Sequence, residues 1–452
     1  MTGERKGILK SRQVCRRLLA FWKDMRAGAQ KGAALVTVIL LTLLLLVFAG
    51  SLVQLTAVDK RVSAGQVAMT RALYLAEAGV EMMVARLAGN FDAGPPTTPI
   101  VLGNGQISKI TVRPVDASTK EILAEGRAGN ARKALKVQVQ RTAAPVLQNA
   151  ACSGGDFTPG QSVSITGNLL VKGNLGSKHG VHLTRAGLVV VGGNLANKNG
   201  SIEMLSGGSL LVEGNLDNRH GTISNPGYLQ VGGSIDNSSG TVIFSSGGVY
   251  YAPSPEYPEG TFEMQGGGQV PRLEGPRENI ATLVELVDRL DPAGEVASYQ
   301  SYPPLSVTET GNRYESNLTG KAAGTYYLDT GGKELRLEGT YSGKWLIAVK
   351  GNVEIRGNLV PENAGRDVLV LLVDGTVSVH GNEDISAVIY AGRFAAGGNC
   401  TIRGTVVALS FVVSGNASLI QDNDLIWNAV SELPPDLVTV KIISWREEYD
   451  VF

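Results

Sequence analysis

The chain has 452 residues, with 41 basic and 41 acidic side chains and a formal net charge of zero. The balance hides an asymmetry: nine basic and two acidic residues lie in positions 1–32, leaving 32 against 39 beyond them. A mildly acidic body lacks the basic footprint that nucleic-acid binding requires, and 57 glycines in a chain this long fit a turn-rich β body of several domains.

Residues 1–32 form a basic leader ending in Lys31-Gly32. The next segment, Ala33 to Val53, reads AALVTVILLTLLLLVFAGSLV, and no charge occurs between Lys31 and Asp59. As a helix it spans about 31 Å, the thickness of a bilayer's hydrocarbon core. The cations before it predict a cytoplasmic amino end and an extracytoplasmic body, a single-pass protein of the cell envelope. A cleaved secretory signal has a shorter apolar core, and a buried soluble helix normally shows a polar face. Here only Thr37, Thr42 and Ser51 interrupt the run. Helical spacing continues to about 90 through Met69, Leu73, Ala76, Val80, Met83 and Leu87, an apolar seam with Arg71, Glu81 and Arg86 off it. That seam packs on the chain's own β domain, on copies of itself, or on each along different parts of its length. Gly89-Asn90 and then Gly94-Pro95-Pro96 end the pattern.

Lys31-Gly32-Ala33-Ala34-Leu35-Val36, the apolar run and Tyr74-Leu75-Ala76-Glu77-Ala78-Gly79 together resemble the amino-terminal region of type IV pilin-like proteins, specifically PilX-type minor pilins. The resemblance covers about residues 28–90. It implies cleavage between Gly32 and Ala33 by a prepilin peptidase, and an assembly helix whose contacts with other pilin subunits involve Thr37, Met69, Leu73, Ala76, Glu77, Gly79 and Val80. Major pilins carry Glu at mature position five, where this chain has Thr37; the difference favours a minor or initiating subunit over autonomous polymerisation.

Residues 97–142 read as a small antiparallel sheet. Gln106–Val112 and Leu135–Val139 alternate in polarity, with a strand near Glu121–Gly126 between them. From 150 to 250 a repeat appears: GNLLVKGNLGSKHG (167–180), GLVVVGGNLANKNG (187–200), GSLLVEGNLDNRHG (208–221) and GYLQVGGSIDNSSG (227–240). Successive turns at Gly173, Gly193, Gly214 and Gly233 are 20, 21 and 19 residues apart. Such units bury an apolar face only by stacking, which predicts a right-handed-type β-solenoid rising about 4.8 Å per coil. Stacking would align Asn174, Asn194 and Asn215 in one turn ladder and Asn197, Asn218 and Asn237 in a second. A second tract, 326–430, carries Gly-Asn steps at Gly381, Gly398 and Gly415, 17 residues apart; these coils resemble bactofilin-type polymer-forming domains. The 251–325 insertion carries one helical pattern, Glu278–Leu290, and 434–452 reads as a terminal strand that closes a solenoid edge or returns to the small sheet.

No constellation rises to an enzyme. His179 and His220 share a repeat position with Asn199 and Ser239, which marks a solvated turn. Glu383-Asp384 and Asp422-Asn423-Asp424 read as surface or turn acids, and no Cys/His spacing fits zinc. No cofactor is expected. Cys15 lies in the leader; Cys152 and Cys400 are the sole possible intramolecular pair, and sequence leaves their pairing open. The expectation is a structural minor pilin-like subunit displaying a solenoid for filament initiation or adhesion. A membrane-anchored self-associating scaffold and a polysaccharide-binding solenoid are the alternatives.

Overall fold

The computed structural model describes residues 31–116, 118–159, 163–176, 181–253, 260–434 and 437–448. Helix α1 (Lys31–Gly89) is unbroken over 59 residues, about 88 Å at 1.5 Å per residue. It contains no proline. Hydroxyls in its apolar part are satisfied internally: Thr42 Oγ1 donates to Val38 O at 2.8 Å and Ser51 Oγ to Val47 O at 2.9 Å, so neither would be left unpaired in hydrocarbon. The helix ends where Asn90 N donates to Arg86 O and the Asn90 side chain accepts from Asp92 N.

The small sheet comprises β1 (Ile100–Leu102), β2 (Gly105–Pro114), β3 (Thr119–Ala128) and β4 (Ala131–Ala143). Alternate residues of β2–β4 point at α1. Ile107, Ile122, Ala124, Val137 and Val139 pack against Ala76, Val80, Met83 and Leu87 as one apolar core.

The solenoid begins with β5 (Ala151–Ser153), β6 (Val163–Thr166), β7 (Leu169–Val171), β8 (Leu175–Gly176) and β9 (Val181–Val191). It continues through β10 (Leu195–Ala196), β11 (Ser201–Val212), β12 (Leu216–Asp217), β13 (Thr222–Val231) and β14 (Ile235–Asp236). Next come β15 (Thr241–Phe244), β16 (Val249–Tyr251) and β17 (Thr261–Met264). Two short helices, α2 (Ile280–Val284) and α3 (Pro292–Ser298), follow with a 3-10 turn between them, then the antiparallel hairpin β18 (Thr308–Thr310) and β19 (Arg313–Asn317). The second tract is β20 (Thr325–Tyr341), β21 (Lys344–Pro361), β22 (Val368–Gly381), β23 (Asp384–Gly398), β24 (Thr401–Val413) and β25 (Ser418–Gln421). Helix α4 (Asn423–Ala429) and strand β26 (Val438–Glu448) end the described chain.

Both tracts stack into one β-solenoid of about 13 turns. Their order along its axis is not their order in the sequence. The last coil of the second tract lies on the first coil of the first: β24 pairs with β5 through Val406↔Ala151 and Val407↔Cys152, and β25 with β6 through Ser418↔Ser164. The chain therefore enters the column near its middle and winds to one end at β17. It then runs back along the side to β18 and winds to the middle again. Phe157 bridges the seam, its ring 5.3 Å from that of Phe411, which lies 5.5 Å from Phe394.

The return segment explains the unbroken apolar run Val368–Val373. Leu369, Leu371 and Val373 fill the solenoid interior, while Val368, Val370 and Leu372 face outward beneath a second apolar layer that includes Val287, Val296, Tyr299 and Ile426. Strands buried on both faces lose the polar alternation of half-exposed ones. The helical pattern expected over 278–290 is α2 running directly into the 3-10 turn, and 251–325 also holds α3 and β17 to β19. Pro292 cannot continue a helix but can open one; Asp291 caps α3 by accepting from Gly294 N. The segment is tied down where Gln230 Nε2 donates to Glu278 O and Tyr228 Oη accepts from Arg277 N.

Strand β26 does not cap the solenoid. It joins the small sheet, pairing antiparallel with β4 from Val438↔Ala143 to Glu448↔Ala134. The sheet order is β1-β2-β3-β4-β26, so two chain passes side by side hold the solenoid to the head. Arg141 reinforces that neck: its guanidinium donates to Ser431 O and Leu433 O and lies over the Phe91 ring. Burial pushes its pKa down from the ordinary value.

Candidate assembly interface

Helix α1 divides into two functional lengths. From Val36 to Arg71 almost every residue is exposed; Leu46 and Val53 are 68% and 69% exposed. Apolar surface on that scale is a docking or membrane surface rather than a soluble one. It is also the one described helix long and apolar enough to cross a membrane. From Ala72 onward one face is covered by the sheet.

The sequence-derived assembly residues fall on both lengths. Gly32 and Ala33 lie in the first turn of α1, and leader residues 1–30 lie outside the described residues. Thr37 and Met69 are exposed, Leu73 and Glu77 are half-buried, and Ala76, Gly79 and Val80 are buried on the sheet. The sheet thus gathers Leu73, Ala76, Gly79 and Val80, and leaves Thr37 and Met69 to the open part of the helix.

The small residues of the Ala-Glu-Ala-Gly stretch have a steric reason. A Cβ at Gly79 would sit 3.1 Å from both Ala124 Cβ and Ile107 Cγ2. On the sheet side, a Cβ at Gly126 would sit 2.0 Å from Ala72 O and 2.6 Å from Ala76 N. Backbone meets backbone there, so helix and sheet approach at a notch made by Gly126 and Ala72. Sequence reasoning did not single out Ala72, Gly126, Phe91 or Arg141. Ala72, four residues before Ala76, was the one with a legible signal.

The asparagines form two ladders of different character. In the exposed one, Asn174 N donates to Asp156 Oδ1 at 2.7 Å, Asn194 N to Asn174 Oδ1 at 2.8 Å, and Asn215 N to Asn194 Oδ1 at 2.8 Å. Ser234 N ends it on Asn215 Oδ1. In the other, Asn197, Asn218 and Asn237 have no exposed surface. Asn197 Nδ2 donates to Asn218 Oδ1 at 2.7 Å, Asn218 Nδ2 to Asn237 Oδ1 at 2.6 Å, and Asn237 Nδ2 to Thr261 O at 2.9 Å. A third ladder in the second tract runs Asn382, Asn399, Asn416 at 3.3 Å per step.

Asn199, His220 and Ser239 share one turn position with φ of 58°, 57° and 57°, while His179 lies outside the described residues. Asp422 caps α4 by accepting from Leu425 N. Cys152 and Cys400 are both buried and unpaired; burial pushes the Cys152 thiol up to about 12.

A bare apolar helix thus becomes the spine of a small antiparallel sheet, from which the chain continues into a β-solenoid, and the amino-terminal part of this arrangement is similar to pilin-like proteins. The comparisons agree in the amino-terminal segment: residues 31–81 match the family model for the PilX N-terminal region. Among solved structures, the competence-associated pilin ComZ from Thermus thermophilus is similar at 13% identity and a TM-score of 0.29, covering 84% of this chain and 97% of that one. No curated protein matches.

Proposed function

We propose that this chain is a structural minor pilin-like subunit of a type IV pilus or related secretion pseudopilus, and that it displays the β-solenoid at or near a filament tip for initiation or adhesion. One observation carries the reading: a single 59-residue helix leaves its apolar half fully exposed while its other half is the spine of the head. Such a helix needs a bilayer first and neighbouring helices afterwards. The leader cations support a cytoplasmic amino end, and in this reading a prepilin peptidase acts between Gly32 and Ala33. A solenoid of about 13 turns, about 60 Å long at 4.8 Å per turn, supports tip placement, because it would crowd the side of a closely packed filament.

The test is the amino-terminal sequence of the protein extracted from cell envelopes, with and without the peptidase. A mature chain starting at Ala33 in the wild type and an intact leader in the deletion strain is the expected result. An intact leader in both would leave a permanently anchored surface solenoid and refute the pilin pathway.

A further inference from the structure

The small sheet has two open edges. Among the described residues no strand pairs with the outer side of β26, and β1 pairs with β2 only at Gly105–Ile107, leaving Ser108–Pro114 without a strand partner on that side. Edge strands are normally blunted by charge or covered. Here Ile442, Ile443 and Trp445 on β26 are 46%, 51% and 47% exposed, and Val115, just past β2, is 55% exposed.

The two edges complement each other. Neighbours in the order β2-β3-β4-β26 are all antiparallel, so β2 and β26 run in opposite directions. A second copy set alongside in the same orientation therefore brings its β2 antiparallel to β26. Read in that sense, beyond the β26 bulge between Ile442 and Ser444, Ser444 to Glu448 on one edge meets Arg113 to Lys109 on the other, with Glu448 opposite Lys109. The apolar layer also continues. Ile442 and Trp445 stand opposite Val139 and Val137, on the helix side of the sheet, where β2 presents Ile110 and Val112.

We propose that β26 of one copy adds to the β2 edge of the next, making the head sheet continuous between subunits. The partner is a second copy of this chain, and the contact is heterologous, so repetition gives an open filament rather than a closed dimer. The proposal rests on the pilin-like reading only for its membrane setting.

The test uses the full chain in its native membranes, with Cys15→Ser to remove the leader thiol. Under a mild oxidant, a chain carrying both Thr111→Cys and Arg446→Cys should give a ladder of disulfide-linked dimers, trimers and larger species, and neither single variant should. Trp445→Glu, at an exposed position, should weaken the ladder about tenfold while leaving thermal unfolding unchanged. Absence of a ladder overturns the proposal. So do dimers from Arg446→Cys alone, which would mean β26 pairing with itself, and so does a ladder indifferent to Trp445→Glu. Amino-terminal sequencing of the same membranes separates the two claims: a ladder with an intact leader refutes the pilin pathway alone, and a processed chain without a ladder refutes this contact alone.

Discussion

Asn218 has no exposed surface, and its amide is engaged on both sides, by Asn197 Nδ2 and by Asn237 Oδ1. Removing it strands a buried donor above and a buried acceptor below, and each unsatisfied group costs about 1–3 kcal/mol. Asn218→Ala should therefore cost about 3–4 kcal/mol in urea unfolding. Asn194→Ala, in the exposed ladder where water replaces the lost partner, should cost about 1 kcal/mol or less. Equal losses would show that burial does not separate the ladders. His220 holds φ of 57°, a conformation costing an L-residue about 1–2 kcal/mol; His220→Gly should stabilise by about 0.5–1 kcal/mol after the added freedom of the unfolded glycine. Asp217 gives the turns a pH dependence. Hydrogen bonds from Arg219 and Lys198 lower its pKa to about 2, so its contribution is complete above the unfolded carboxyl value near 3.9 and is lost as pH falls towards 2. Asp217→Asn should flatten the stability profile between about pH 4 and 2; an unchanged acid slope would show the pair adds nothing. Repeat alignment places the asparagines in columns. It does not say which column is buried, because that depends on the path of the turn, with its positive φ at the residue two positions after Asn197, Asn218 and Asn237.

At the scale of elements, the docking of α1 on the sheet depends on how closely two backbones approach. Gly126→Ala places a methyl 2.0 Å from Ala72 O, and neither backbone can yield without lifting the helix. Overpacking of this kind costs about 1–3 kcal/mol, and a rigid backbone contact belongs at the upper end. Limited proteolysis between α1 and β1 should accelerate accordingly, while Gly50→Ala, with nothing within 4 Å, serves as the neutral control. The helix itself was legible, since length, apolarity and seam spacing are local properties. The seam's division was legible only as alternatives: the structure puts Ala76, Val80, Met83 and Leu87 on the sheet and leaves Met69 bare. Gly126 was not legible as a notch. In the sequence it reads as the last residue of a strand over Glu121–Gly126, whereas β3 continues through it to Ala128, and nothing local marks it as the point where the helix backbone approaches.

At the scale of the whole molecule, coil period and coil order are different kinds of information. Spacings of 20, 21 and 19 residues state that coils stack, but any parallel coil edge can in principle receive any other. The seam is chosen by side chains far apart in sequence: Phe157 against Phe411, and Gln421, whose Oε1 accepts from Asn168 N at 2.9 Å while its Nε2 donates to Gln148 O at 3.1 Å. No local pattern carries that pairing. It has a direct test. Ser418 and Ser164 are partners on adjacent parallel strands, about 4.8 Å apart at the Cα atoms, inside the 4.4–6.8 Å range a disulfide accepts. Ser164→Cys with Ser418→Cys should close a disulfide within one chain and raise the denaturation midpoint. Cys152 and Cys400 are buried and stay out of the reaction. The opposite order, with the second tract stacked beyond β17, would bring Thr261 near Arg313 instead, so Thr261→Cys with Arg313→Cys should fail to cross-link. If the second pair closes and the first does not, the tracts stack in sequence order, and the side-by-side entry and exit of the solenoid at the head would have to be abandoned.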